Sequence, residues 1–122
     1  MAYHHIDPEE LPETADYPCD RRAISEAAEL TTVHAATYEM APGEALSRVY
    51  HYHDQREELF YVLDGTVHVE TPEGTFTVEA GEVFIAEPDS PHRAFTPADA
   101  EGSTRVLGVG APTSDIAVPY DQ

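Results

Sequence analysis

The sequence contains no lysine. Its six basic residues, all arginine, stand against 24 acidic ones, for a formal net charge of −18 over 122 residues. That balance speaks against direct binding to nucleic acid or to an anionic membrane surface, both of which need a basic footprint. A single cysteine, Cys19, excludes an intrachain disulfide and fits a reducing compartment. No apolar run approaches the roughly 20 residues of a membrane helix. The first residues, Met-Ala-Tyr-His-His-Ile-Asp-Pro-Glu-Glu, carry neither the basic nor the apolar region of a signal peptide. A soluble, cytoplasmic chain is expected. Strongly acidic chains are often disordered, but 41% hydrophobic content and clear strand periodicity point to a folded domain. An acidic, lysine-free surface suits a very salty cytoplasm, where a Debye length of about 3 Å screens self-repulsion. This halophile reading predicts a melting temperature that rises between about 0.1 and 2 M KCl; a flat response removes it.

What is present is a series of short alternating segments, on a chain the length of one domain that can bury roughly 65% of its unfolded surface. Residues 1–22 hold Asp-Pro, Leu-Pro and Tyr-Pro steps among acids and read as an extended N-terminal arm. Residues 23–30 fit a short helix, an edge strand or an irregular turn. Residues 30–40 alternate as a strand, with His34, Ala36, Tyr38 and Met40 on one face; His34 reads there as a surface or hydrogen-bonded histidine in preference to one lining an interior pocket. Further strands are expected over 57–63, 66–70, 75–80, 82–86, 92–95 and 103–109. Asp64-Gly65 is a hairpin signal, and Val67 and Val69 facing the core would turn His68 to solvent. Strands parted by turns every 8–12 residues or so, with no helix after residue 30, indicate an all-β sandwich or barrel. The body is expected over 23–110, followed by a C-terminal arm over 111–122.

The chemistry concentrates in Arg48-Val-Tyr-His-Tyr-His-Asp-Gln-Arg-Glu-Glu58. In a strand His51 and His53 share a face, about 6–7 Å apart, while Tyr50 and Tyr52 point the other way. Glu58 sits at the mouth of the next strand and can face back toward them, and His92 suggests a fourth donor. Three histidines and one glutamate fill four positions of an octahedral site and leave two for water or substrate. Such donors suit one divalent transition metal (iron, manganese, nickel, zinc or copper) without choosing among them. Phe60 and Val62 share the parity of Glu58 and are expected to line the cavity, with Tyr38, Met40 and Phe95 as further walls.

With these residues placed, the chain resembles the cupin superfamily of small jelly-roll β-barrels over roughly residues 30–110. That family's first motif runs glycine, spacer, His-x-His, three or four residues, Glu, six residues, Gly. Here it reads Gly43, seven residues, His51-Tyr52-His53, four residues, Glu58, six residues, Gly65. The spacer after Gly43 is two longer than usual. The second motif reads Gly81, five residues, Glu87-Pro88-Asp89, Ser90-Pro91, His92, three residues, Thr96. Glu87, Asp89 and Thr96 stand where the family has proline, glycine and asparagine. The resemblance implies that His51, His53, Glu58 and His92 bind one metal inside the barrel. It also implies a homodimer, for which the outward Tyr50 and Tyr52 offer a sheet-to-sheet contact. The function expected is a metal-dependent enzyme of dioxygenase, isomerase or lyase type acting on a small molecule. The alternative is a non-catalytic module that binds or senses a small molecule or metal.

Overall fold

A computed structural model of the protein describes residues 1–121; Gln122, the last residue of the expected C-terminal arm, lies outside the described residues. Ten strands are joined almost entirely by turns: β1 (Asp20–Ala23), β2 (His34–Met40), β3 (His51–Tyr52), β4 (Glu57–Asp64), β5 (Thr66–Thr71), β6 (Gly74–Glu79), β7 (Val83–Ala86), β8 (Arg93–Phe95), β9 (Thr104–Ala111) and β10 (Val118–Pro119). The α1 helix (Ile24–Ala27) is one turn long. No helix among the described residues is long and apolar enough to cross a membrane.

The strands form two facing layers. One is the antiparallel sheet β1-β2-β9-β4-β7; the other joins the ladders β6-β5-β8 and β10-β3. Backbone bridges His51↔His92 and Ala45↔Phe95 link β8 to the segment that carries β3. The all-β jelly-roll expectation therefore holds, but among the described residues these ladders do not close into one continuous barrel. The cause lies at the sheet edges: β7 and β6 each pair with one strand only.

The alternation of apolar residues decides which face is inside. On β2, Ala36, Tyr38 and Met40 are buried; on β4, Phe60 and Val62; on β5, Val67 and Val69; on β9, Val106. These side chains meet between the layers, as period-two burial requires. The short helix is fixed by its own Ser25, whose Oγ accepts from Ala35 N at 3.0 Å and donates to Ala35 O at 3.2 Å. Residues 20–23, within the stretch expected as an arm and its continuation, pair with β2 as an edge strand.

The Asp64-Gly65 step makes no hairpin. β4 pairs with β7 and β9, whereas β5 pairs with β6 and β8, so the step carries the chain from one layer to the other. A register shift between Val62 and Asp64 bends β4 there, as bulges do at sheet corners. Gly65 adopts φ +80, and a Cβ on it would lie 2.7 Å from Ser103 O. The backbone freedom of glycine that would serve a hairpin serves a corner here.

Candidate metal centre

The backbone aims the expected donors at one another. His51 N donates to His92 O at 3.2 Å and His92 N donates to His51 O at 2.9 Å, so the two residues are direct cross-strand partners. Their rings lie side by side, 4.9 Å apart. His53 follows on the same face, its ring 5.1 Å from that of His51. Asp89 N donates to His53 O at 2.7 Å, tying the loop that precedes His92 to the strand that carries the His-x-His pair. Glu58 reaches in from β4, in the opposite layer. One ligand atom from each of His51, Glu58 and His92 lies within 4.8 Å of the others. His53 Nε2 stands 3.3 Å from Glu58 Oε1, and His92 Nε2 stands 3.5 Å from the same oxygen. All four are close to fully enclosed: the side chains of His53, Glu58 and His92 are 5%, 10% and 3% exposed, and His51 is buried.

The hydrogen bonds around the site select the ring tautomers. His51 Nδ1 donates to Val49 O at 3.0 Å, and His92 Nδ1 donates to Ser90 O at 2.8 Å. A carbonyl only accepts, so each Nδ1 carries the hydrogen and each Nε2 keeps a lone pair, the arrangement that orients a metal-ligating imidazole. For His92 that lone pair faces a carboxylate oxygen. Neither His92 Nε2 nor Glu58 Oε1 has a hydrogen-bond partner, and His53 Nδ1 has none either. Two buried acceptors 3.5 Å apart with nothing between them are costly. A cation between them satisfies both. The donor set and its orphaned atoms thus fit a divalent transition metal.

Electrostatics point the same way at His51, His53 and Glu58, while at His92 they favour a proton that a metal would displace. Burial holds the His51 and His53 imidazoles below the ordinary histidine pKa. At Glu58 burial raises the pKa, but the adjacent His92, His53 and His51 outweigh it and the net direction is down. At His92 burial pulls down, while the Glu58 carboxylate and the Ser90 carbonyl pull up and prevail. At neutral pH the cluster therefore offers neutral imidazoles at His51 and His53 beside an ionised carboxylate, the protonation states that metal binding requires.

His51, His53 and Glu58 open onto a cavity of about 440 Å³. Tyr38, expected as a wall, lines it. The other expected walls sit elsewhere. Phe60 stacks on Phe84 and its ring lies 5.8 Å from that of His92, while Val62 and Met40 lie deeper in the core between the layers. Phe60 and Val62 do share the inward face with Glu58, but each two-residue step along β4 moves further from the donors. Phe95 has the opposite parity to the buried Ala94 and packs against His68, ring to ring at 5.8 Å.

Among the cavity residues not foreseen are Arg21 and Arg48, and the cavity also takes in His34, for which an interior pocket is the less favoured reading of the sequence. His34 on β2 and Glu58 on β4 both face Gly110 of β9 across the ladder. The next inward row is Ala36, Gly108, Phe60. A Cβ on Gly108 would stand 2.9 Å from the Tyr38 ring and 3.4 Å from that of Phe60; one on Gly110 would stand 2.9 Å from Arg56 Cδ. The two glycines thus leave β9 bare where Tyr38, Phe60 and the Arg56 stem lie on it. His34 Nε2 and Tyr38 Oη are hydrogen-bonded at 3.3 Å. Burial, with Arg56 and Arg21 nearby, lowers the His34 pKa. The signal available in the sequence was parity, since His34 shares a face with Tyr38 and Met40; its distance from Glu58 depended on a strand seventy residues on.

Comparison with known proteins agrees with this architecture. No curated protein sequence matches the chain. Among solved structures, a sugar phosphate isomerase of the cupin superfamily from Silicibacter pomeroyi DSS-3 is 20% identical, with a TM-score of 0.80 over 98% of this chain and 83% of that one. The polyketide cyclase RemF from Streptomyces resistomycificus is 20% identical, with a TM-score of 0.81 over 99% and 87%. KdgF from Halomonas sp. is 19% identical, with a TM-score of 0.73 over 92% and 94%. At such identities the likeness is one of fold. The Cupin domain family model matches residues 36–108, more than half of the chain and a span that includes all four donors, and on that match the protein belongs to the cupin domain family.

Proposed function

We propose that this protein is a metal-dependent enzyme of isomerase or lyase type, which moves a proton on a small carbonyl compound. His51, His53, Glu58 and His92 hold the ion. The observation that carries the reading is the His34–Tyr38 pair, which shares the cavity with the donor cluster. A divalent ion bound there supplies a Lewis acid for a carbonyl oxygen. His34, kept neutral by burial, takes the proton from the carbon beside that carbonyl and either returns it to another carbon of the same molecule, in an isomerisation, or delivers it to the group that departs as the new double bond forms, in a lyase reaction, so no oxidant is needed. Tyr38 steadies the imidazole through their 3.3 Å hydrogen bond. A positioned general base contributes about 10²–10⁴-fold.

The test is proton exchange. Full-length protein loaded with manganese or zinc is incubated in D₂O with pyruvate or dihydroxyacetone phosphate, and deuterium beside the carbonyl is followed by NMR. Wild-type protein is expected to exchange; His34→Ala and His51→Ala are each expected to slow exchange by about 100-fold or more. Oxygen consumption without exchange would replace this reading with an oxygenase.

The homodimer belongs with this proposal, through a different face from the one expected. The Tyr50 ring packs tilted against that of Tyr120, 5.0 Å away, and the C-terminal strand that carries Val118 pairs with Tyr52. The outer face of β4 and β7 instead exposes Leu59, Tyr61, Leu63, Val83 and Ile85. Leu59 opposes Ile85 and Tyr61 opposes Val83, giving two adjacent apolar rows, a patch that suits a second copy. Sedimentation equilibrium is expected to find a dimer that Ile85→Lys dissociates; a wild-type monomer at about 100 μM, which puts the association free energy weaker than about −5.5 kcal/mol, removes the dimer.

A further inference from the structure

The arginines of this chain are unevenly employed. Arg22 is bonded to Asp20, Arg93 to Glu70, and Arg105 to Glu39 and Glu9. Arg21 donates to Thr14 Oγ1 and pairs with Glu26 at 3.5 Å. Arg56 is spent on backbone, donating to the carbonyls of Pro112, Thr113 and Asp115. Arg48 alone has neither a hydrogen bond nor an ion pair among the described residues. Arg48 is exposed, and it lines the cavity of the donor cluster.

Its surroundings keep it free. The Arg48 guanidinium carbon lies 6.0 Å from the centre of the Tyr17 ring, and that of Arg21 lies 5.4 Å from the same ring. Tyr17 is itself fixed, its Oη donating to Leu46 O at 2.8 Å. The two acids of the cavity are both committed. Glu58 stands among the histidines, and the Asp115 carboxylate accepts from Gln55 N and Arg56 N, each at 2.7 Å. The cavity thus combines a free guanidinium with acids that are already occupied, inside a protein whose remaining surface repels anions.

We propose that Arg48 receives an oxyanion, a carboxylate or a phosphate, on the small molecule that this cavity takes. The inference rests on the reading of the cavity as a substrate site. The guanidinium matches either oxyanion with two parallel N–H donors, whereas lysine would offer only a point charge. Arg48 is a specificity residue here: it selects the molecule and leaves the donor cluster to hold the ion.

The experiment is calorimetric titration of the full chain, manganese-loaded and metal-free, with pyruvate as the carboxylate probe and inorganic phosphate as the phosphate probe. R48Q is expected to weaken at least one of them by about tenfold or more. R48K should retain part of the affinity, and R105Q, which removes the same charge far from the cavity, should retain all of it. The probe that responds identifies the oxyanion. The proposal is overturned if R48Q binds both probes as wild type does, if R105Q loses as much as R48Q, or if wild-type protein binds neither. Manganese content measured on every sample separates the two readings. Protein that takes up no metal defeats the metal-dependent reading, while an Arg48-dependent affinity in the metal-free chain stands apart from it.

Discussion

Glu58→Ala is expected to lower the affinity for zinc or manganese by more than about 100-fold, the upper range seen for loss of mere outer partners of a metal site. Glu58 is the single carboxylate of the cluster and supplies its only negative charge, 3.3 Å from His53 and 3.5 Å from His92. Glu57→Ala is the control, because Glu57 points out of the same strand and is exposed. Elemental analysis and competition with a chelator read the affinity directly, and unchanged affinity in Glu58→Ala would sink the site. A second readout needs no metal. Glu58 raises the His92 pKa against the effect of burial, so in Glu58→Ala only the Ser90 carbonyl still opposes burial and the His92 NMR titration should move to lower pH. In wild type, metal should be released as pH falls below about 6, where protons compete for the imidazoles. The metal-free chain responds with opposing signs. His51 and His53, with lowered pKa values, cost stability as pH falls below the ordinary histidine value. His92, with a raised pKa, adds stability in that acid range and loses it as pH rises through its folded value.

Gly65→Val should be the most damaging single change in the fold, at about 3 kcal/mol or more. Two costs add. A β-branched residue is strained at φ +80, and its Cβ would stand 2.7 Å from Ser103 O, 3.1 Å from Thr104 Cα and 3.3 Å from Thr104 Oγ1. Those atoms are backbone or hydrogen-bonded side chain, since Thr104 Oγ1 donates to Thr66 O at 2.9 Å, so none can swing away. Gly81 isolates the first cost. It has φ +88 but nothing within 4 Å of its Cβ position, and Gly81→Ala should lose only about 1 kcal/mol. Urea unfolding of both variants checks this; equal losses would mean that the close approach at Gly65 carries no energy. Against a stability of about 5–15 kcal/mol for an ordinary domain, the Gly65 change removes a large share. The corner also sets function, because it joins the layer holding Glu58 to the layer holding His51 and His92.

Much of this was legible in strand parity. A period of two puts His51 with His53, and Glu58 with Phe60 and Val62, whatever the tertiary structure. The structure gathers the four donors because those faces are inward. Parity does not say how far along a cavity a residue sits, so Phe60 and Val62 share the face of Glu58 yet lie below the opening. Nor does it say which strands are neighbours. His34 becomes a cavity residue only through β9, which inserts between β2 and β4 and presents glycine at both contact rows. Asp64-Gly65 shows the same limit: a turn-forming pair specifies a local reversal in direction, and long-range pairing decides whether the flanking strands meet. Arg48 could not be singled out from the sequence because its distinction is the absence of a partner, which appears only after the other five arginines have found theirs.

Arg56 has a consequence for how this protein diversifies. Its three bonds to the carbonyls of Pro112, Thr113 and Asp115 pin the C-terminal segment as one wall of the cavity, opposite Tyr17 and Arg21 near the other end of the chain. The donors all lie between residues 51 and 92. On the proposed reading the ion-holding donors and these two wall segments are thus written in separate stretches of sequence, and a change in either wall reshapes the cavity while leaving all four donor residues in place.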